Sequence, residues 1–121
     1  MSNDPLLQPF QLKHLTLKNR IIVTSHEPAY PEDGMPKDRY RLYHLERAKA
    51  GVALTMTAGS ASVSRDSPPA FGNLLAWKDE IVPHLKRLTD DCHEHGCAVM
   101  IQVPPMVRCL ASNSICGLPT F

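Results

Sequence analysis

Three stretches of the chain carry residues with chemistry to offer, and each directly follows an apolar, β-branched run: Thr24-Ser25-His26-Glu27, Thr57-Ala58-Gly59-Ser60, and Gln102. The Gln102 amide supplies a donor and an acceptor side by side, the pattern needed at the edge of a flavin or a nucleobase. Ala58 and Gly59 have little or no side chain, so a flat ligand would lie close to the backbone there. His26 and Glu27 have the types for acid/base work or metal ligation. Neighbours on an extended chain point to opposite sides, which works against their acting on a single atom. The plain alternative is that these positions are polar because loops begin there. Residue type and spacing leave both readings open.

The segment Cys92-His93-Glu94-His95-Gly96-Cys97 gathers metal-binding residue types. No second ligand pair at finger-like spacing follows, Cys92 belongs to an apolar helical stripe, and Cys97 opens the next apolar run. Packed thiols and helix-terminal histidines are the expectation, and no metal. Neither GxGxxG after a strand nor GxxxxGK[ST] occurs, which removes the basis for a Rossmann or P-loop phosphate site. Arg39, Arg41, Arg47 and Lys49 read as a solvated helix face. With a formal charge of +1 over 121 residues, nothing argues for nucleic acid or an acidic membrane surface as a partner.

The elements that must position these residues are legible from periodicity. Arg20–Thr24, Val52–Thr57 and Ala98–Val103 are apolar on both faces, as parallel strands covered on both sides are. Between them, 36–50 reads as a helix with Leu42, Leu45 and Ala48 on one face and Gly51 as its stop. From Asp79 to His95, Ile81, Leu85, Leu88 and Cys92 make an apolar stripe. Asp79 and Glu80 open that helix, Pro83 sits in its first turn, and Gly96 closes it. Phe10–Lys18 alternates around a turn and reads as a short hairpin. The order is a hairpin followed by β-α-β-α-β, with right-handed crossovers. In such architectures ligands bind at the C-terminal strand ends, where Ser25, Ala58 and Gln102 fall.

Apolar residues make up 43% and charged residues 21% of the chain, the composition of a soluble globular domain. No apolar run reaches the ~18 residues that suggest a membrane span. Met1-Ser2-Asn3-Asp4-Pro5 has neither a basic leader nor an apolar stretch behind it, so the expectation is a cytoplasmic protein whose four cysteines stay reduced. Most of the 11 prolines cluster after the strand runs, as loop residues do. Residues 103–121 break the pattern. They hold one charge, Arg108, and no periodicity, where a third parallel strand should lead into a helix.

Leu17-Lys18-Asn19-Arg20-Ile21-Ile22-Val23 after Pro9-Phe10, Tyr43–Gly51 (YHLERAKAG), Val52–Ser60, and Leu85–Gln102 ending in HEHGCAVMIQ resemble, in order, the start of the old yellow enzyme family of NADH:flavin oxidoreductases. The likeness is nearest the branch with trimethylamine dehydrogenase and 2,4-dienoyl-CoA reductase. It implies an α/β fold, the N-terminal portion of a (β/α)8 TIM barrel, with FMN at the C-terminal mouth. It also implies NAD(P)H as reductant and a small alkene or amine substrate. Matched position by position, Ser25 and His26 line the flavin through their backbone, Ala58 packs beside it, and Gln102 hydrogen-bonds the isoalloxazine edge. The cysteine that links flavin covalently in trimethylamine dehydrogenase falls on Glu27, so the resemblance implies non-covalent FMN.

The likeness leaves the family's Leu-x-His-x-Gly-Arg pattern at Val103-Pro104-Pro105-Met106-Val107-Arg108. Residues 1–102 therefore read as the barrel portion and 103–121 as an altered or frameshifted end. A complete barrel takes about 250 residues. The expectation is a truncated member, inactive alone and weak toward FMN, with unpaired sheet edges that favour aggregation. Two alternatives stand beside it: a small complete α/β ligand-binding module, and a barrel piece completed by a second polypeptide.

Overall fold

The computed structural model describes residues 3–57, 61–66 and 72–103. After a single 3-10 turn at Pro5–Leu7, β1 (Phe10–Leu12) and β2 (Leu15–Leu17) form an antiparallel hairpin in the register Phe10↔Leu17 and Leu12↔Leu15. Then follow β3 (Ile22–Val23), α1 (Asp38–Lys49), β4 (Leu54–Met56), α2 (Ile81–Glu94) and β5 (Ala98–Met100). The last three strands are parallel in the order β3-β4-β5, the β-α-β-α-β arrangement expected from periodicity. The strands are shorter than the apolar runs that predict them. Single hydrogen bonds continue the pairing beyond their ends: Ala53 N–H to Ile21 O at 3.0 Å, Ala98 N–H to Ala53 O at 2.8 Å, and Thr57 N–H to Met100 O at 2.7 Å.

Strand alternation divides the sheet into two faces. Register partners Ile22 and Leu54, and Met56 and Met100, look to one side. There the hairpin folds against them, and Leu17, Ala53 and Leu54 form a small core with Leu15, Met56 and Ala98. Thr55 and Val99 look to the other side, where both helices pack. Tyr40, Ala48, Ile81, Leu88, Cys92 and Cys97 belong to the main core on that side. β4, paired on both flanks, buries Leu54 and Thr55 completely.

Both helices stop as their sequences demand. In α1, Gly51 (φ +96°) follows the last turn, with Gly51 N–H on Ala48 O at 3.0 Å and Val52 N–H on Arg47 O at 3.3 Å. In α2, Gly96 (φ +62°) does the same, with Gly96 N–H on His93 O at 2.8 Å and Cys97 N–H on Cys92 O at 3.0 Å. This is the paired-bond left-handed cap that glycine adopts without strain. The residues before β3 fasten onto those two helix ends. Asn19, itself buried, donates to Gly51 O at 2.7 Å, and Lys18 Nζ donates to His95 O at 2.5 Å.

Two details differ from the periodicity reading. The second helix begins at Ile81, so Asp79 and Glu80 precede its first turn rather than occupy it. In α1 the buried face is Tyr40, His44 and Ala48, spaced i, i+4, i+8, while Leu42 is 44% exposed. A polar histidine goes inside because it finds a partner. Its Nδ1 lies 2.8 Å from the buried Thr55 hydroxyl on β4, and its ring sits against Tyr40 and Tyr43. Leu42 faces away from that contact. Across the helices, Arg41 of α1 pairs with Asp91 of α2, and Asp38 reaches both Arg41 at 3.2 Å and Arg87 at 3.4 Å.

Candidate site at the C-terminal rim

β3, β4 and β5 run in the same direction, so their C-terminal ends share one rim. Ser25 stands two residues past β3, and Gln102 two residues past β5. Although 77 positions apart, their side chains meet: the Ser25 hydroxyl donates to Gln102 Oε1. The contact spans the end of β4, where Thr57 donates its backbone N–H to β5. Two of the four sequence-derived site residues are thus brought together. His26 is exposed at the same loop. Ala58, with Gly59 and Ser60, lies outside the described residues, directly after Thr57.

Glu27 holds its own loop. Its Oε1 accepts the N–H of Ala29 at 2.9 Å, where the backbone takes φ +55°. Its other oxygen is buried without a hydrogen-bond partner among the described residues. Burial raises the Glu27 pKa, opposed by the Ala29 N–H and by His26. Among the described residues no group of three or more His, Cys, Asp or Glu is arranged to hold a metal ion. Cys92 and Cys97 are free and buried. Burial, with Cys97 and Asp91 nearby, pushes the Cys92 thiol up to about 12, and burial raises Cys97 as well. Thiols held this firmly protonated pack as small apolar groups.

The rim suits the edge of a flat ligand with hydrogen-bonding groups, because Ser25 and Gln102 are among its polar side chains at strand ends and meet there. Lys18, bonded to the end of α2, and Arg20, stacked over Phe10 at 5.5 Å, both lie at the opposite, N-terminal ends of the strands. A concavity of about 350 Å³ among the described residues also lies away from the rim. It is an apolar trough between the hairpin and the inner sheet face, lined by Phe10, Leu17, Ile22, Leu54, Met56 and Met100. In a β/α barrel this inner face packs against side chains of the other strands and forms core, not a binding site.

Sequence reasoning missed two features here. The side chain of Ser25, not only its backbone, reaches Gln102. The other is His44, whose spacing from Tyr40 and Ala48 carries the signal. It is fully buried with its Nε2 unpartnered among the described residues. Burial, reinforced by Arg47, lowers its pKa to about 4. It works behind the sheet, away from the rim.

Comparison with known proteins gives this geometry its context. The sequence model of the NADH:flavin oxidoreductase / NADH oxidase family matches residues 5–114, past Gln102, where the quoted motifs end. A probable N-methylproline demethylase of Rhizobium meliloti (strain 1021) is 69% identical over 108 residues, covering 89% of this chain and 16% of that protein. A multifunctional alkene reductase/demethylase of Caballeronia cordobensis is 50% identical over 107 residues, covering 88% of this chain and again 16% of the relative. Morphinone reductase in complex with tetrahydroNAD superposes with a TM-score of 0.74 at 23% identity, over 84% of this chain and 27% of that one.

The described part is a segment of a TIM barrel of the old yellow enzyme type: three parallel strands and two helices after a hairpin, without barrel closure. The chain belongs to the NADH:flavin oxidoreductase / NADH oxidase family, an FMN-dependent family with NAD(P)H as reductant. It spans 16% of the length of the two curated relatives. No helix among the described residues is long and apolar enough to cross a membrane.

Proposed function

We propose that this chain forms the first part of the flavin-cradling rim of an FMN-dependent oxidoreductase that removes an N-methyl group from a small amine, such as an N-methylated amino acid. The observation that carries the reading is the meeting of Ser25 and Gln102 over the end of β4, in a chain 69% identical to a probable N-methylproline demethylase. Gln102 holds the flavin edge, Ser25 and His26 line it, and Ala58 leaves room for the ring. Bound FMN supplies the hydride chemistry. With glutamate at position 27 in place of a thiol, FMN is held non-covalently. A second reading, hydride transfer from NAD(P)H to an activated alkene, is favoured by the likeness to an alkene reductase/demethylase. The free thiols of Cys92 and Cys97 suit a reducing, cytoplasmic setting.

By itself the described part offers FMN the ring-edge contacts of three strand ends. It also leaves apolar groups uncovered, with Ile22 at 47%, Phe10 at 41% and Met100 at 41% exposure. Those groups and the edge strands β3 and β5 require further barrel strands, in the same polypeptide or a second one. Activity is therefore expected only of the complete barrel. The test is to purify the chain alone and joined to the remainder of a relative's barrel, and to compare retained flavin absorbance. Flavin and amine-dependent reduction only in the joined protein support the reading. Flavin lost equally from both, with the barrel folded, would refute it.

A further inference from the structure

We propose that Ser25 is a positioning residue that pins the Gln102 amide, so that Gln102 presents its N–H donors to an acceptor atom of the bound ring, a carbonyl oxygen or an unprotonated ring nitrogen. The inference rests on the reading of the rim as the flavin site.

The argument begins with what each atom is able to do. Gln102 Oε1 carries no proton, so in the observed contact the Ser25 hydroxyl is the donor and Oε1 the acceptor. That fixes the sense of the amide plane: oxygen toward β3, nitrogen away from it. Gln102 is exposed, while Ser25 is half-buried, so the serine is the fixed member of the pair. A free glutamine side chain has three rotatable bonds and two amide orientations, and ordering it on ligand binding loses entropy. Ser25 removes that loss in advance, because it already selects one rotamer and one orientation. The same bond occupies one of the two lone pairs on Oε1, which shifts the recognition offered to the ligand toward donation.

The placement explains why this needs a residue from another strand. β5 is an edge strand, and Gln102 lies beyond its last paired residue, Met100. Nothing in β5 itself restrains the side chain. Ser25, reaching across the end of β4, does. Replacing Ser25 leaves the sheet pairing untouched, since its backbone lies outside β3.

The test uses the chain joined to the remainder of a relative's barrel, the form expected to retain flavin, followed by the side-chain amide signals of Gln102 in ¹⁵N–¹H spectra, with FMN as the added probe. In the ligand-free chain, Ser25→Ala is expected to move and broaden those signals while backbone signals of β4 and α2 stay in place. In FMN titrations Ser25→Ala raises Kd about three- to ten-fold, the size of one lost hydrogen bond, and Ser25→Thr, which keeps the hydroxyl, restores it. The double variant Ser25→Ala/Gln102→Ala binds no more weakly than Gln102→Ala alone. Ligand-free Gln102 signals unchanged by Ser25→Ala, or losses that add in the double variant, would overturn the proposal and leave the flavin site standing. An FMN titration that moves no Gln102 signal in the joined protein with Ser25 and Gln102 intact would overturn the flavin reading and this proposal together, even where the ligand-free contact is seen.

Discussion

His44 should make this fold acid-sensitive, by an amount the structure fixes. The imidazole is fully buried against β4, with Nδ1 at 2.8 Å from the Thr55 hydroxyl and Nε2 unpartnered among the described residues. The neutral ring makes the Nδ1–Thr55 hydrogen bond in either tautomer. A second proton would place a charged, unpaired N–H in the core, close to Arg47. The folded-state pKa accordingly falls to about 4 from 6.5, whereas the unfolded chain titrates near the usual value. Between those values the unfolded state binds more protons, so stability rises with pH. It is complete above about pH 6.5 and declines as pH falls toward 4. At about 1.4 kcal/mol per pKa unit, the total is about 3 kcal/mol, a large share of the ~5–15 kcal/mol typical of a small domain.

The comparison to make is urea unfolding of the wild type and His44→Gln between pH 7 and 4, followed by the fluorescence of Trp77 and by circular dichroism. Glu27, whose raised pKa acts with the opposite sign, is common to both proteins and cancels in the difference. The wild type should lose stability relative to His44→Gln on acidification, and the His44 C2–H signal should titrate well below pH 6. Parallel pH profiles, or a His44 titration near 6.5, would refute the reasoning.

Other outcomes follow from the same packing. Leu88→Ala, at a fully buried position of α2, should destabilise by about 2–5 kcal/mol, while Leu42→Ala on the exposed side of α1 should change the urea midpoint little. Gly51→Ala meets no atom within 4 Å but must adopt φ +96°, so it should lose about 1–2 kcal/mol from backbone strain alone, again read by urea. Cys92 and Cys97 should resist alkylation in the folded chain at neutral pH and label fully in denaturant, as peptide mass mapping would show. Fast native labelling of Cys92 would contradict its burial and its raised pKa.

The order of elements was legible in the sequence because each signal is local. Apolar runs of strand length, the Ile81–Cys92 stripe, and glycines at 51 and 96 act through periodicity and caps that need no distant partner. The family likeness added the ligand chemistry and marked Ser25, His26, Ala58 and Gln102. What the chain by itself did not disclose depends on residues far apart in sequence. Tertiary contact chose Tyr40 and His44 over Leu42 for the inner face of α1, because Thr55 on β4 supplies the polar partner that makes a buried histidine tolerable. It shortened the strands, because ladder length depends on the neighbours and not on the run itself. And it joined Ser25 to Gln102 across 77 positions, because parallel pairing on both sides of β4 carries the ends of β3 and β5 to the same rim.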